Sequence, residues 1–148
     1  MLKKILCLTF IALGVFGPLR SNAEHLFPGK WWYMPEFSEK LNVSDEQKQQ
    51  LNTLYLDNRR KLIELRSDLK KEGLELSNLV EQEPLNETAV MEAFHRLDTV
   101  RSKLSEERFQ YILGVRKVLG QEKFQELQAT FKMYRKKMRR HSDEDREQ

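Results

Sequence analysis

Met91 and His95 stand four residues apart, with Glu87 four before the methionine and Asp98 three after the histidine. On a helix these side chains share one face. A thioether, an imidazole and carboxylates together suit a soft or borderline metal. The other histidines, His25 and His141, lie near the two ends of the chain. A surface histidine beside a packing methionine accounts for the same pair. No metal ligand is therefore assigned, and Met91 and His95 stand as candidates only. No cofactor is expected; the alternative is a weakly bound divalent ion such as zinc.

A second group of residues suits binding rather than coordination. Arg59, Arg60, Lys61, Arg66, Lys70 and Lys71 interleave with Leu62, Ile63 and Leu65. Apolar side chains set among cations make an amphiphilic surface, which attracts partly folded chains without locking them. The competing explanation is solvation of a helix face through pairs four residues apart: Asp57–Lys61, Arg60–Glu64 and Glu92–Arg96. A denser cationic run, Lys132, Arg135, Lys136, Lys137, Arg139 and Arg140, contains no acid. It complements the negative end of a helix, or meets anionic head groups or an acidic partner. The aromatic stretch Trp31-Trp32-Tyr33 with Phe37 serves either as a lid over a thin core or as an exposed client-binding patch. Catalysis is not expected. One internal histidine, no cysteine past Cys7 and no glycine-rich turn leave no nucleophile–base pair and no phosphate cradle.

These residues are positioned by a chain with a processed start. Lys3 and Lys4 precede an apolar run, Ile5 to Phe16, which is short for a bilayer span. Pro18 and the small residues Ser21, Asn22 and Ala23 follow. This is the pattern of a secretory signal cleaved after Ala23. Cleavage removes Cys7, so no disulfide or thiolate site is expected. It also removes Lys3, Lys4 and Arg20, which brings the basic residues down to match the 23 acidic ones. The isoelectric point of about 9.0 belongs to the precursor and is no nucleic-acid signature.

The domain, residues 24–140, reads as all-α. Ser44-Asp45-Glu46-Gln47 is a capping box, with acids at the positive end of the helix dipole. Leu51, Tyr55, Leu62, Leu65, Leu69, Leu76 and Leu79 form an apolar stripe that predicts one helix over 45–82. Asn58 and Glu72 fall on that stripe, and Gly73 invites a bend. Asn86 caps a second helix striped by Val90, Phe94, Leu97, Leu104, Tyr111, Val115 and Val118, with Arg101 and Arg108 on the same line. Gly120 ends it near 119. A third helix follows at once, carrying Phe124, Leu127, Phe131, Tyr134 and Met138. The tail 141–148 is expected to be disordered.

Two helices of more than thirty residues joined by a short turn make an antiparallel hairpin. One hairpin has one seam and encloses no core. The third helix, the aromatic segment (Pro35 starting a short helix that carries Phe37) and a second copy of the chain are expected to supply the rest.

The order of these features resembles the Spy/CpxP family of periplasmic proteins. The features are a signal peptide, "WW" followed by "PE", "LNVSDEQ" opening a long helix, a hairpin, and "VLGQEKFQEL" opening the last helix. That family carries two L-T-x-x-Q motifs. Val43-Ser44-Asp45-Glu46-Gln47 resembles the first, with Val for Leu and Ser for Thr. Leu119-Gly120-Gln121-Glu122-Lys123 resembles the second, with Gly for Thr and Lys for Gln. The resemblance implies a periplasmic, intertwined, cradle-shaped all-α homodimer. It also implies one of two functions. The first is an energy-independent chaperone for unfolded or partly folded envelope proteins, with a sensor kinase's periplasmic domain as a further partner class and no nucleic acid. The alternative is a metal-responsive sensor or zinc-buffering resistance protein. The metal-sensing branch brings histidines at H-x-x-x-H spacing, which this chain lacks, so the chaperone reading is ranked first.

Overall fold

The structure is a computed structural model, and it describes Phe27 and residues 29–144. The signal sequence and the last four residues of the tail lie outside the described residues. A 3₁₀ turn, Trp31–Tyr33, leads into a short helix α1, Pro35–Ser38, started by Pro35 at its first turn. The long helix α2 spans Asp45–Val80. Helix α3, Glu87–Glu144, is two helices end to end, 87–119 and 121–144, broken at Gly120. The described residues are all-helical, as the composition predicts, with no strand among them. None of their helices is long and apolar enough to cross a membrane.

Both caps expected from the sequence are present. The Ser44 hydroxyl accepts from the Gln47 backbone N–H, and the Gln47 side chain accepts from the Ser44 N–H, each at 3.2 Å. Asn86 Oδ1 accepts from the Ala89 N–H at 3.1 Å. Gly73 does not break α2, which is unbroken from Asp45 to Val80. One glycine in so long a helix costs only about 1 kcal/mol against alanine, too little to interrupt it while the seam on either side holds. Gly120 behaves differently. Its φ of 78° and ψ of 175° lie where only glycine sits without strain, and the chain swings there from the hairpin onto the last helix.

The hairpin pairs α2 with the 87–119 arm along the expected seam, with two corrections. Ala93 is fully buried, whereas Phe94 is 41% exposed, its ring lying against that of His95. Near the hairpin tip alanine takes the inner position, and the phenyl ring one residue on turns outward. Met138 is likewise exposed, because the 121–144 arm projects past the last aromatic it can pack on, Tyr134. The helix continues to Glu144, into the segment read as a tail from the sequence.

The core sits at the open end of the hairpin. Trp31, Trp32, Phe37, Leu41 and Val43 are buried against Leu51 of α2, Val115 and Leu119 of the 87–119 arm, and Leu127 and Phe131 of the last arm. Trp31 meets Trp32 edge-on at 5.6 Å, Trp32 meets Tyr55 at 5.8 Å, and Phe37 lies 5.6 Å from Tyr134. Each buried aromatic removes on the order of 150–250 Å² from water, so this segment contributes a large share of the hydrophobic stabilisation. Gly120→Ala is expected to cost about 1–3 kcal/mol in urea unfolding, the range for strained non-glycine backbone, while Gly73→Ala is expected to be neutral or stabilising.

Candidate functional site

The two short motifs singled out in the sequence meet in space. Gln47 Nε2 donates to the Val118 carbonyl at 3.0 Å. Lys123 Nζ donates to the Asn42 carbonyl at 2.6 Å and to Gln47 Oε1 at 3.0 Å. The arrangement is reciprocal. The residue three after each cap reaches the carbonyl two before the other cap, across the gap between the helix starts. Val118 has lost its helical acceptor role to the break at Gly120, so the Gln47 amide supplies the partner that its carbonyl needs. Lys123 stands where a glutamine stands in the L-T-x-x-Q pattern, and its ammonium performs the bridging directly. From the sequence Lys123 is only a departure from the second motif, and Asn42, whose φ is 47°, has no role in a junction. The signal available was the offset of the lysine from Gly120.

The polar positions within the seam are also paired. Asn58 is buried, and its Nδ2 donates to the Glu107 carbonyl at 3.1 Å and to Glu107 Oε1 at 3.3 Å. Lys61 reaches the same carboxylate at 3.3 Å. Glu72 accepts from Arg96 at 3.0 Å. These contacts replace the expected pairs: Arg60 joins Asp57 at 2.9 Å, Lys61 crosses to Glu107, and Arg96 crosses to Glu72. Crossing pairs pin the register of the hairpin, which pairs within one helix cannot do. Gly114 supports the same register, because a Cβ there would lie 2.7 Å from the Leu54 side chain. Burial raises the Tyr111 hydroxyl above the ordinary tyrosine range, with neighbouring Tyr55 adding to it.

Beside the seam, α2 presents two unlike flanks. One carries Leu56, Arg59, Ile63, Arg66, Lys70 and Val80, and from Leu56 to Val80 no acid occurs at its helical positions. The other carries Asp57, Glu64, Asp68 and Glu75 alongside Lys61 and Lys71. A crevice of about 130 Å³ on the first side is lined by Tyr55, Asn58, Arg59, Leu62, Arg66 and Arg108, among others. A groove of about 380 Å³ on the second side is lined by Lys61, Glu64, Asp68, Lys103, Glu106 and Glu107, among others. Of the proposed client-binding residues, Arg59, Ile63, Arg66 and Lys70 therefore share a flank. Arg60 and Lys61 are drawn to the acidic side. Trp31, Trp32 and Phe37 are fully buried and form the lid, while Tyr33 alone of that segment is exposed.

Met91 and His95 both lie on the exposed face of the 87–119 arm. Among the described residues no group of three or more His, Cys, Asp or Glu side chains is placed to hold a metal ion. In comparisons with known proteins, a family model described as heavy-metal resistance matches residues 5–126. Comparison with curated proteins and with solved structures gives no match.

Replacing Lys123 by Met is expected to cost about 1 kcal/mol in chemical denaturation, since it removes a charge-assisted bond to an exposed carbonyl that water then satisfies. Lys123→Gln, which restores the motif, is expected to keep most of that stability. A loss of equal size in both variants would mean that the bridge contributes nothing specific.

Proposed function

We infer the function from one premise, that this chain belongs to the heavy-metal resistance family, and we propose that it is an exported, periplasmic envelope protein of Spy/CpxP type. It holds unfolded or partly folded envelope proteins reversibly, without catalysis and without an energy source. The observation that carries this reading is the stretch of the α2 flank from Leu56 to Lys70, where Leu56 and Ile63 alternate with Arg59 and Lys70 and no acid of that helix intervenes. Unfolded chains offer apolar side chains and carboxylates together. A flank that offers apolar contact and cations, with no acid to repel the carboxylates, attracts them over several ångströms and releases them readily. The opposite flank neutralises itself with its own acids and has no such preference.

A second reading is supported by the description of the family itself. In it, Met91 and His95, with Glu87 and Asp98 on the same helical face, contribute to a low-affinity site for zinc or a softer ion shared across a dimer. The dimer is common to both readings. Leu74, Phe109 and Leu113 are exposed in a single chain, and a second copy packed on them leaves Leu56 and Ile63 to clients.

Suppression of aggregation of a denatured model client separates the two readings. Neutralising Arg59 and Lys70 together is expected to weaken it several-fold, and added salt weakens it further. Neutralising Lys61 and Lys71 on the other flank leaves it nearly unchanged. Titration calorimetry with zinc is expected to show no saturable binding near micromolar concentration, and a chelator to leave the activity intact. Loss of activity on chelation, or in His95→Ala, would put the metal reading first. Analytical sedimentation of residues 24–148 is expected to give a dimer at micromolar concentration; a stable compact monomer would exclude the shared site and the cradle alike.

A further inference from the structure

The cationic run on the last helix has no explanation in the fold or in client holding on α2. Complementing the helix dipole does not account for it, because that effect fades within the last turn. The helix runs on to Glu144, so Lys132, Arg135 and Lys136 lie two turns or more before its end. Lys132, Arg135, Lys136, Arg139 and Arg140 all line one cleft of about 680 Å³ whose remaining wall is Phe27, Gln128 and Phe131. Their spacing places them on one side of the helix, over about 12 Å of its length and an arc of roughly 140°. Arg135 lies 6.0 Å over the Phe131 ring. None of the five makes an ion pair among the described residues, and no acid occurs from Leu127 through Arg140.

We propose that this flank docks the protein on an anionic phospholipid surface. The charge is complementary, and its layout favours a layer of head groups over a single anion. Five long side chains spread over such an arc do not converge on one phosphate, but each reaches a different one in a sheet. Phe27, half-buried at the cleft, and Met133, exposed beside the cations, give the helix the apolar contact that an interfacial helix sinks between head groups. Lysines and arginines near an anionic leaflet add their attractions, and the sum falls steeply with salt. A structured acidic protein would instead need fixed pairing geometry, which this open row of cations does not impose.

The test is co-sedimentation of residues 24–148, which contain every described residue, with vesicles. Binding is expected to phosphatidylglycerol mixed with phosphatidylcholine, to be lost at high salt, and to be absent with phosphatidylcholine alone. The combined variant Arg135→Gln, Lys136→Gln, Arg139→Gln and Arg140→Gln alters only exposed side chains, and its helicity by circular dichroism should match the parent. Its vesicle affinity is expected to fall at least about tenfold, given the strength of each cation's attraction. Lys61→Gln with Lys71→Gln should leave vesicle affinity unchanged. Parent-like vesicle binding by the combined variant would overturn the proposal. Saturation of the cleft by soluble glycerol phosphate, or tighter stoichiometric binding to polyglutamate than to vesicles, would do so too. Client holding by the α2 flank is read separately in the aggregation assay, so the failure of either leaves the other standing.

Discussion

The fold depends on a change of direction at Gly120. A pair of antiparallel helices buries a single line of side chains and leaves the outer faces wet, so by itself it has no interior. The backbone at Gly120 sends the last helix back across the open end of the hairpin. There Leu127 and Phe131 close over Trp31, Trp32 and Phe37. The two tryptophans at the start of the described chain are buried because the helix after Gly120 gives them something to be buried against. One torsion angle thus converts three thin elements into a three-sided core.

Such a turn exposes backbone groups that the helices would otherwise have satisfied. Gln47 and Lys123 supply the partners, each reaching the carbonyl beside the other's helix start. The short motifs thereby have a physical meaning beyond capping their own helices: they are two halves of one junction. The same residues fix how the hairpin base and the last helix meet, and so fix where the Leu56–Lys70 flank of α2 and the cationic flank of the last helix stand.

Much of this was legible from residue types. The caps at Ser44 and Asn86, both long helices, the break at Gly120 and the lid role of the aromatic segment follow from local chemistry and periodicity. The misses share a cause. A stripe drawn on one helix says nothing about how closely its partner approaches, so Phe94 was assigned inside and Ala93 overlooked. Ion pairs drawn within a helix ignore the neighbouring one, so the links from Lys61 to Glu107 and from Arg96 to Glu72 were not foreseen. The bridging role of Lys123 was not foreseen, because a lysine in an amphipathic helix ordinarily solvates a face. Only the spatial return of the chain brings it to Asn42.

The core's placement has a mechanical corollary. It ends near Tyr55 on α2 and Tyr111 on the partner arm, whereas α2 continues to Val80. Some 25 residues of α2, on the order of 35 Å at 1.5 Å each, project as a two-helix arm held by one seam and a few crossing pairs. With a single buried seam in place of a closed core, that arm opens locally more readily than the base. The arm can flex and fray while the base stays shut, like a blade clamped at one end. A surface with that compliance conforms to guests of different shape, which a rigid groove of the same chemistry does not.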